Sequence, residues 1–440
     1  MSDGDRVMGS RRVVLPDGLR PASIRIRNGV IATVGPYGAL GGEDYGERVI
    51  MPGLVDTHVH INEPGRADWE GFASATRAAA AGGVTTLIDM PLNSIPATVS
   101  VEALETKAAA AQGQCWVDVG FWGGIIPGNA REARPLWEAG CFGFKCFLAP
   151  SGVDQFPHLT EADLRPAMSA IAAFGGVLLA HAEDPGELGP PAGDSRRYSS
   201  YLSSRPPRAE DSAIQLLLRL SGETGCRVHI VHLSSAGSLA PLAAARAGGI
   251  AVTAETCPHY LAFNAEEIPD GATEFKCAPP IRESGNRNAL WAALRGGRID
   301  CVVSDHSPCP PAMKRKDSGD FSAAWGGIAS LELGLSAVWT EACQRCASVE
   351  DVVRWMSAGP AKLAGLGHRK GAIIRGYDAD LLVWEPETEF TVEPGRLRQR
   401  HKLTPYAGRR LLGLVHKTLL RGEEVNPEGP ATGQVLRRSA

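Results

Sequence analysis

The chain has 440 residues, of which 44% are hydrophobic and 21% charged, and its formal net charge is -4 at pH 7. This composition is typical of a globular protein and does not support a nucleic-acid partner or an anionic membrane surface. No apolar run reaches the roughly 18 residues of a membrane span, and the N-terminus lacks the apolar core of a secretory signal. We therefore expect a cytoplasmic protein whose ten cysteines are reduced.

The two ends of the chain share a β pattern. Residues 1–50 consist of short apolar or alternating segments separated by Asp-Gly, Asn-Gly and Gly-Gly turns, which predicts a small β unit. A similar pattern returns in residues 366–440. Each segment is too small to bury a good core alone. We expect them to pack together as one discontinuous β-sandwich domain, with the last residues as a C-terminal tail.

Between these ends, residues 51–365 alternate apolar strands with helices, which predicts a TIM-type (β/α)8 barrel. The near-continuous Val, Ile and Leu content is typical of parallel strands buried on both faces. The eight predicted strands cover 51–60, 84–90, 116–124, 143–148, 177–183, 228–233, 251–257 and 300–306. The first predicted helix ends near 81, and the others cover 99–112, 130–139, 160–174, 207–224, 235–248, 286–296 and 351–366. We expect Pro360 to kink or split the last helix.

Polar side chains follow five of the predicted strands at their carboxyl ends, where the active site of such a barrel lies. They are His58 and His60 on strand one, Lys145 on strand four, His181 on strand five, His232 on strand six and Asp305 on strand eight. Only one residue separates His58 from His60, so both imidazoles project from the same face of their strand. Imidazole and carboxylate are ligands of zinc and similar divalent ions. The six residues together therefore predict a metal site.

Each of these residues, taken singly, has a structural alternative. His181 and His232 could be hydrogen-bonded core histidines, and Asp305 could cap a helix. Lys145 is harder to explain in this way, because it lies in the apolar run CFGFKCFLAP, where an unpaired ammonium is costly. It must find a partner or lose its charge, and conversion to a carbamate would make it an anion able to bridge two metal ions. The occurrence of all six residues favours the metal site.

Several longer motifs carry a resemblance to a known family. They are HVHINEPGRADWEGF (58–72), TTLIDMPLNS (85–94), GFKCFLAPSGVDQFP (143–157), VVSDHSPCP (302–310), WGGIASLE (325–332) and HKLTPYAGR (401–409). With the histidine, lysine and aspartate pattern, the chain resembles the binuclear amidohydrolase superfamily. More narrowly, it resembles the cyclic-amidohydrolase branch, which contains dihydroorotases, hydantoinases (dihydropyrimidinases) and allantoinases. The motifs are most similar to those of the allantoinases, and they span nearly the whole chain.

This resemblance implies a site with two divalent metal ions. The ligands it implies are, for one ion, His58, His60 and Asp305, and, for the other, His181 and His232. Lys145, as N6-carboxylysine, would bridge both ions, and a hydroxide between them would be the nucleophile. Asp305 would take the proton of that nucleophile and return it to the leaving ring nitrogen. The ions would be zinc, with iron, cobalt or manganese as alternatives. The substrate would be allantoin and the product allantoate, and the resemblance implies a homotetramer.

Three further residues are candidate substrate contacts. In dihydroorotases an arginine that pairs with the substrate carboxylate usually lies two residues after the second histidine, where this chain has Asn62. Asparagine suits a neutral amide or ureido group better than a carboxylate, although turn chemistry before Pro64 is an alternative explanation. Ser307 and Cys277 lie on loops at the predicted active face, where their backbone groups could bind an imide. A hydantoinase acting on other 5-substituted hydantoins, a dihydroorotase and a non-catalytic scaffold relative are the alternative functions.

Other polar residues near the predicted site have weaker support. We expect Asn93 and Glu183 to act indirectly or structurally, and His306 to be structural because strand alternation turns it away from Asp305. The CxxC formed by Cys343 and Cys346 has no second pair nearby, so metal or redox use has little support. The long segments 184–207 and 308–327 follow strands five and eight. Long loops in compact domains are usually functional or mobile, so we expect these two to rim and gate the pocket.

Overall fold

Eight parallel strands form a closed barrel in the computed structural model, which describes residues 5–438. The strands are Leu54–Val59, Val84–Asp89, Asp118–Phe121 with Gly123–Gly124, Phe144–Phe147, Val177–His181, Arg227–Ile230, Val252–Thr256 and Cys301–Val302. Neighbours in chain order pair in parallel. His306 closes the ring, because its carbonyl accepts the backbone N–H of His60 at 2.8 Å and it bridges Val59. The barrel prediction is confirmed.

Helices cover the outside of the barrel and follow most of the strands. The α-helices are Phe72–Ala81, Val101–Ala111, Ala133–Glu138, Glu161–Ala172, Tyr198–Ser203, Pro207–Thr224, Leu239–Ala247, Pro258–Ala262, Ser284–Arg295, Gly334–Cys343, Val349–Val353 and Gly359–Leu363. Short 3₁₀ turns are Ala130–Glu132, Pro185–Glu187, Ala236–Ser238, Ala265–Glu267, Thr273–Phe275, Pro311–Lys314, Leu331–Leu333 and Pro394–Arg396. Within residues 5–438, no helix has the length and apolar character to cross a bilayer. The prediction that the N-terminus lacks a secretory signal includes residues 1–4, which lie outside the described range.

The helix predicted for 351–366 is split, as expected, and the interruption is a π-helical turn. A π-helical turn, Arg354–Ala358, separates Val349–Val353 from Gly359–Leu363. Pro360 has no N–H to donate to the preceding turn, so a wider turn before it costs little hydrogen bonding. Gly359 also approaches the neighbouring backbone closely, because a Cβ atom there would lie 2.6 Å from the carbonyl oxygen of Asp300. The helix is therefore split by a wider turn that ends just before Pro360, in agreement with the expected split.

The two ends of the chain meet in one eight-stranded sheet. Its strands are Asp5–Leu15, Gly18–Arg27, Val30–Gly35, Glu43–Asp44, Val49–Pro52, Leu381–Thr391, Arg410–Leu420 and Glu423–Glu424. Val49–Pro52 joins the two parts, because it pairs in parallel with Asp5–Leu15 and antiparallel with Leu381–Thr391. The discontinuous β domain predicted from the chain ends is therefore present. The change from this sheet to the barrel falls between Pro52 and Leu54, where the first barrel strand begins.

The barrel strands place polar side chains at one end of the core. All residues of Leu54–Val59 and of Val177–His181 are buried, as expected for parallel strands covered by helices on one side and by the barrel interior on the other. A polar group that follows such a strand has its nearest space in the opening at the carboxyl end. His60, immediately after strand one, and His181, the last residue of strand five, turn into that common opening.

Candidate metal centre and active site

The six residues predicted as metal ligands meet in one cavity of about 250 Å³ at the carboxyl end of the barrel. The six residues that line the cavity are His58, His60, Lys145, His181, His232 and Asp305. None of them is more than 7% exposed. Five separate strand ends supply these side chains, so the barrel fold alone brings them together from positions far apart in the sequence.

His58, His60 and Asp305 form the first group. The Nε2 atoms of His58 and His60 lie 3.2 Å and 3.4 Å from Oδ1 of Asp305, and the donor atoms of the three residues all lie within 4.8 Å of one another. Burial opposes ionisation of Asp305, but the two imidazoles outweigh it and hold the pKa of this carboxyl well below its usual value. Asp305 also has a left-handed φ of 44°, a strained conformation that is common at functional sites.

His181 and His232 form the second group. Nδ1 of His181 lies 3.0 Å from Nε2 of His232, while Nε2 of His181 lies 2.6 Å from Oε2 of Glu183. A carboxylate only accepts hydrogen bonds, so the proton of a neutral His181 is on Nε2, and its Nδ1 carries a lone pair toward His232. Burial, with the charges of His181 and Lys145, holds the pKa of His232 well below its usual value. Both imidazoles are therefore neutral, the form that binds a metal ion.

Lys145 is completely buried beside both groups. Its Nζ has no hydrogen-bond partner among residues 5–438 and lies 5.1 Å from the ring centroid of Phe147. Burial lowers the pKa of Lys145 to about 8, although the charges of Glu255 and Asp305 oppose this shift. A buried amine with a lowered pKa has a larger neutral fraction near neutral pH than an exposed lysine, and the neutral amine is the form that can become a carbamate.

The donor set fits a divalent metal centre. Imidazoles and a carboxylate converge at hydrogen-bonding distances, and the lysine amine in the same cavity has no hydrogen-bond partner in the described part of the chain. Such a cluster of buried acceptors and one orphaned amine is costly unless cations occupy it. The residues present therefore match the chemistry of zinc and similar ions.

The predicted substrate contacts differ in where the structure places them. Ser307 and Cys277 line the cavity. The backbone N–H of Ser307 already donates to Ile328 at 3.0 Å, and the carbonyl of Cys277 already accepts from the Tyr201 hydroxyl at 2.6 Å. These contacts leave the Ser307 carbonyl and hydroxyl and the Cys277 N–H as the groups to consider for a substrate.

Asn62 is buried but is not among the residues that line the cavity. It has a left-handed φ of 67°, its carbonyl accepts the N–H of Arg66 at 3.1 Å, and its Nδ2 lies 3.4 Å from the carbonyl oxygen of Pro308. These contacts match the turn chemistry that was the alternative explanation. They also connect the loop after strand one to the loop after strand eight. A direct contact of Asn62 with substrate stays a prediction.

The remaining candidates contact the predicted ligands or hold loops, and Asn93 also lines the cavity. Glu183 bonds to His181, and Nδ2 of Asn93 lies 3.5 Å from Nδ1 of His60. Nδ1 of His306 accepts the N–H groups of Ser330 and Leu331 at 3.1 Å and 3.2 Å, so it fixes a turn and faces away from Asp305.

Sequence reasoning did not single out one buried carboxylate or several cavity residues, among them Tyr201, Arg205, Lys276 and Trp325. Tyr201 lies in the short helix Tyr198–Ser203 and the other three lie on loops, and in neither case does a periodicity indicate which side chains turn inward. The carboxylate is Glu255, on barrel strand seven, which lies 2.5 Å from Nδ1 of His58. An acidic residue inside the apolar strand AVTAETC was the signal that could have identified it.

Known proteins resemble the chain over its whole length. The family model described as the amidohydrolase family matches residues 49–425. The chain is 53% identical to an allantoinase of Streptomyces avermitilis, with all of both chains covered. It is 46% identical to an allantoinase of Arabidopsis thaliana, with 96% of this chain and 88% of the relative covered. Among solved structures, the L-hydantoinase (dihydropyrimidinase) of Arthrobacter aurescens matches with a TM-score of 0.92 at 30% identity, covering 99% of this chain and 100% of that chain.

Proposed function

The chain belongs to the amidohydrolase family, and we propose that it is a metal-dependent hydrolase that opens the hydantoin ring of allantoin to give allantoate. One observation carries this proposal: a chain 53% identical over its full length to an allantoinase folds so that six metal-ligand side chains line one buried cavity. A cavity of about 250 Å³ also suits a small ring better than a long substrate.

For the site residues, we propose the assignment that the resemblance implies. His58, His60 and Asp305 would hold one ion, His181 and His232 would hold the other, and Lys145, as its carbamate, would serve both. The contact distances within each histidine group support this division. Zinc suits the imidazole and carboxylate donors. When bound, two such ions supply a water of lowered pKa and polarise the carbonyl of the ring amide.

Asp305 is the proposed acid and base of the reaction. Its Oδ1 faces Nε2 of both His58 and His60, so we assign proton transfer to its other oxygen, Oδ2. The lowered pKa keeps this carboxyl ionised before the reaction, as a base requires. Oδ2 takes the proton of the attacking water and then donates it to the leaving ring nitrogen. The amide C–N bond breaks, and the products are a carboxylate and a ureido group.

Substrate orientation is assigned to residues around the cavity mouth. Ser307 and Cys277 line the cavity on loops after the last strands, and we propose that the Ser307 carbonyl and the Cys277 N–H bind the imide edge of the ring. Allantoin has no carboxylate, and Asn62 stands where an arginine would pair with one in a dihydroorotase. This favours a neutral ring over dihydroorotate as the substrate.

A second candidate is a hydantoinase that acts on other 5-substituted hydantoins. The fold itself favours it, because the L-hydantoinase of Arthrobacter aurescens matches with a TM-score of 0.92. A turnover panel of allantoin, hydantoin, dihydrouracil and dihydroorotate separates the candidates, with protein supplemented with metal and bicarbonate. We expect allantoin to be turned over fastest. No allantoin turnover by metal-loaded protein would overturn the proposal, and faster turnover of hydantoin would favour the second candidate.

We also propose that the enzyme is a cytoplasmic homotetramer. The basis is the family resemblance for the assembly, and the composition for the location. Light scattering after size-exclusion chromatography measures the mass of the assembly directly. A mass of one chain, 46.5 kDa, would contradict the tetramer.

A further inference from the structure

We propose that Glu255, on barrel strand seven, is a positioning residue that fixes the proton and orientation of His58, and that His229 and Thr253 hold Glu255 in place. This inference rests on the proposed function, because it takes His58 as a metal ligand. It assigns a task to two buried residues, Glu255 and His229, and to half-buried Thr253, none of which the reaction itself uses.

The contacts of Glu255 carry the proposal. Its side chain is completely buried. Its Oε1 lies 2.5 Å from Nδ1 of His58, and its Oε2 lies 3.0 Å from Nε2 of His229. The backbone N–H of His232 lies 3.3 Å from Oε1. On the far side of His229, Nδ1 lies 2.7 Å from Oγ1 of Thr253. The four side chains therefore form one continuous chain of hydrogen bonds that ends at the metal centre.

The direction of each hydrogen bond follows from the chemistry of the groups. A carboxylate only accepts, so both imidazole nitrogens that face Glu255 carry protons. A neutral His58 is then protonated on Nδ1, which leaves the lone pair on Nε2, the atom that lies 3.2 Å from Asp305. A neutral His229 has its lone pair on Nδ1, which accepts the hydroxyl proton of Thr253. These hydrogen bonds fix the proton of His58 on Nδ1, so the ring can present only Nε2 to an ion.

The other three histidines of the site are supported differently. His181 has its own carboxylate, Glu183, and His60 is approached by the Asn93 amide at 3.5 Å, a distance at the limit for a hydrogen bond. Within the described part of the chain, His232 Nδ1 has no partner. Within the group of His58, His60 and Asp305, Glu255 is therefore the side chain that most firmly orients a ligand. Its loss should weaken the ion of this group first.

A separate metal site is the rival explanation, because donor atoms of His229, Glu255 and Cys301 lie within 4.8 Å of one another. An ion there would need an oxygen of Glu255. The N–H groups of His58 and His229 already occupy both oxygens. The rival predicts one more ion per chain than the proposal, and the number of ions therefore decides between the two.

The test measures metal affinity in the absence of substrate. Glu255→Gln keeps the shape of the side chain, but an amide offers one acceptor and one donor, so it cannot accept from both imidazoles. We expect competition with a chelator to show that one of the two zinc ions binds about 10–100-fold more weakly, as is usual when the hydrogen-bond partner of a ligating histidine is lost. Excess zinc should restore most of the kcat, because Glu255 does not touch the reacting atoms.

Two further variants keep the result interpretable. Thr253→Val removes only the hydroxyl at the far end of the chain of hydrogen bonds, so it should weaken zinc binding less than Glu255→Gln does. Exposed Glu267 supplies the matched control Glu267→Gln, which should bind zinc like the parent. Parental zinc affinity in Glu255→Gln would overturn the proposal, as would a third ion in the parent that this variant loses. Since the chelator competition uses no substrate, failure of the parent to hydrolyse allantoin would leave the affinity result unaffected.

Discussion

Lys145 shows at the scale of one residue how burial selects chemistry. Its Nζ lacks a hydrogen-bond partner within residues 5–438, and its pKa is lowered to about 8. As an ammonium it would be a buried cation beside imidazoles, whereas the proposed carbamate would be an anion close to two cations. The second state would be the more stable with metal bound.

We therefore expect Lys145→Ala to lower the bound metal from about two ions per chain to one or none, and to abolish turnover. Elemental analysis of dialysed protein measures the metal content. Lys362 is exposed on the last helix, and Lys362→Ala serves as the matched control that should keep both ions. Unchanged metal content and activity in Lys145→Ala would contradict the bridging role.

Arg205 combines a structural contact with a place on the cavity wall. Its guanidinium pairs with Glu183, whose side chain is fully buried and also bonds to His181. Burial opposes ionisation of Glu183, but Arg205 and His181 outweigh it and lower the pKa of this carboxyl to about 2. Removing the arginine leaves a buried carboxylate with only an imidazole partner.

Arg205→Met should lower the free energy of unfolding by roughly 3–5 kcal/mol, because it breaks a buried pair on one side. Arg208→Met is the matched control, since its pair with Glu187 is largely exposed and is worth about 0–1 kcal/mol. Urea unfolding followed by fluorescence measures both. Equal effects of the two substitutions would show that the Glu183 pair contributes no more than a surface pair.

At the scale of elements, the loops 184–207 and 308–327 are joined to each other. The ring of Phe321 lies 5.4 Å from that of Tyr198 and 6.4 Å from that of Tyr201, and the N–H of Phe321 donates to the carbonyl of Ser195 at 2.9 Å. Tyr201 lines the cavity, and so does Trp325 on the other loop. A motion that opens one loop must therefore disturb the other.

We expect Phe321→Ala to make backbone amides in both loops exchange with solvent roughly fivefold faster, because each lost aromatic contact is worth about 1 kcal/mol. Hydrogen exchange with mass spectrometry resolves the two segments. Phe174→Ala removes a ring from a cluster with Trp137 and Phe144, remote from these loops, and should leave their exchange unchanged. Faster exchange in only one loop would show that the two open independently.

The eighth barrel strand shows how far sequence patterns reach. The apolar run predicted a strand over 300–306, whereas regular pairing covers only Cys301–Val302. The N–H of Ser304 donates to the carboxylate of Asp56 at 3.2 Å and Asp305 turns into a left-handed φ, so the site itself ends the strand. Strand positions and the convergence of the six polar side chains on one cavity could be predicted, because both follow from periodicity and barrel geometry. The positions of Asn62 and Arg205 could not, because loop conformation sets them.

At the scale of the molecule, one buried ionic cluster connects the barrel to the β domain. Nζ of Lys370 lies 3.0 Å from Asp118, 3.1 Å from Asp378 and 2.5 Å from Asp380. Arg421 also pairs with Asp118 at 2.7 Å. Asp118 begins barrel strand three, whereas the cations and the other carboxylates belong to the C-terminal part of the chain.

The C-terminal tail extends this junction. The N–H of Gln434 donates to Asp118 at 3.0 Å, and the backbones of Val119 and Gln434 bond at 2.9 Å. Because Asp118 begins its strand, the cluster lies at the amino end of the barrel, opposite the cavity. The attachment of the β domain is thus spatially separate from the active-site cavity.

Lys370→Met tests that separation. Three buried carboxylates lose their shared ammonium, so the free energy of unfolding should fall by roughly 3–5 kcal/mol, while kcat at 25 °C should stay near that of the parent.

Burial opposes the charge of Lys370, but Asp380 and Asp118 outweigh it and raise its pKa above its usual value. A raised folded-state pKa means that the stabilisation is complete below the unfolded-state pKa, about 10.4, and is lost only as the pH rises further. The stability difference between parent and variant should therefore be constant from about pH 6 to 9, as measured by urea unfolding, with exposed Lys362→Met as the control. If kcat at 25 °C fell together with the free energy of unfolding, the result would show that the two ends of the barrel are coupled.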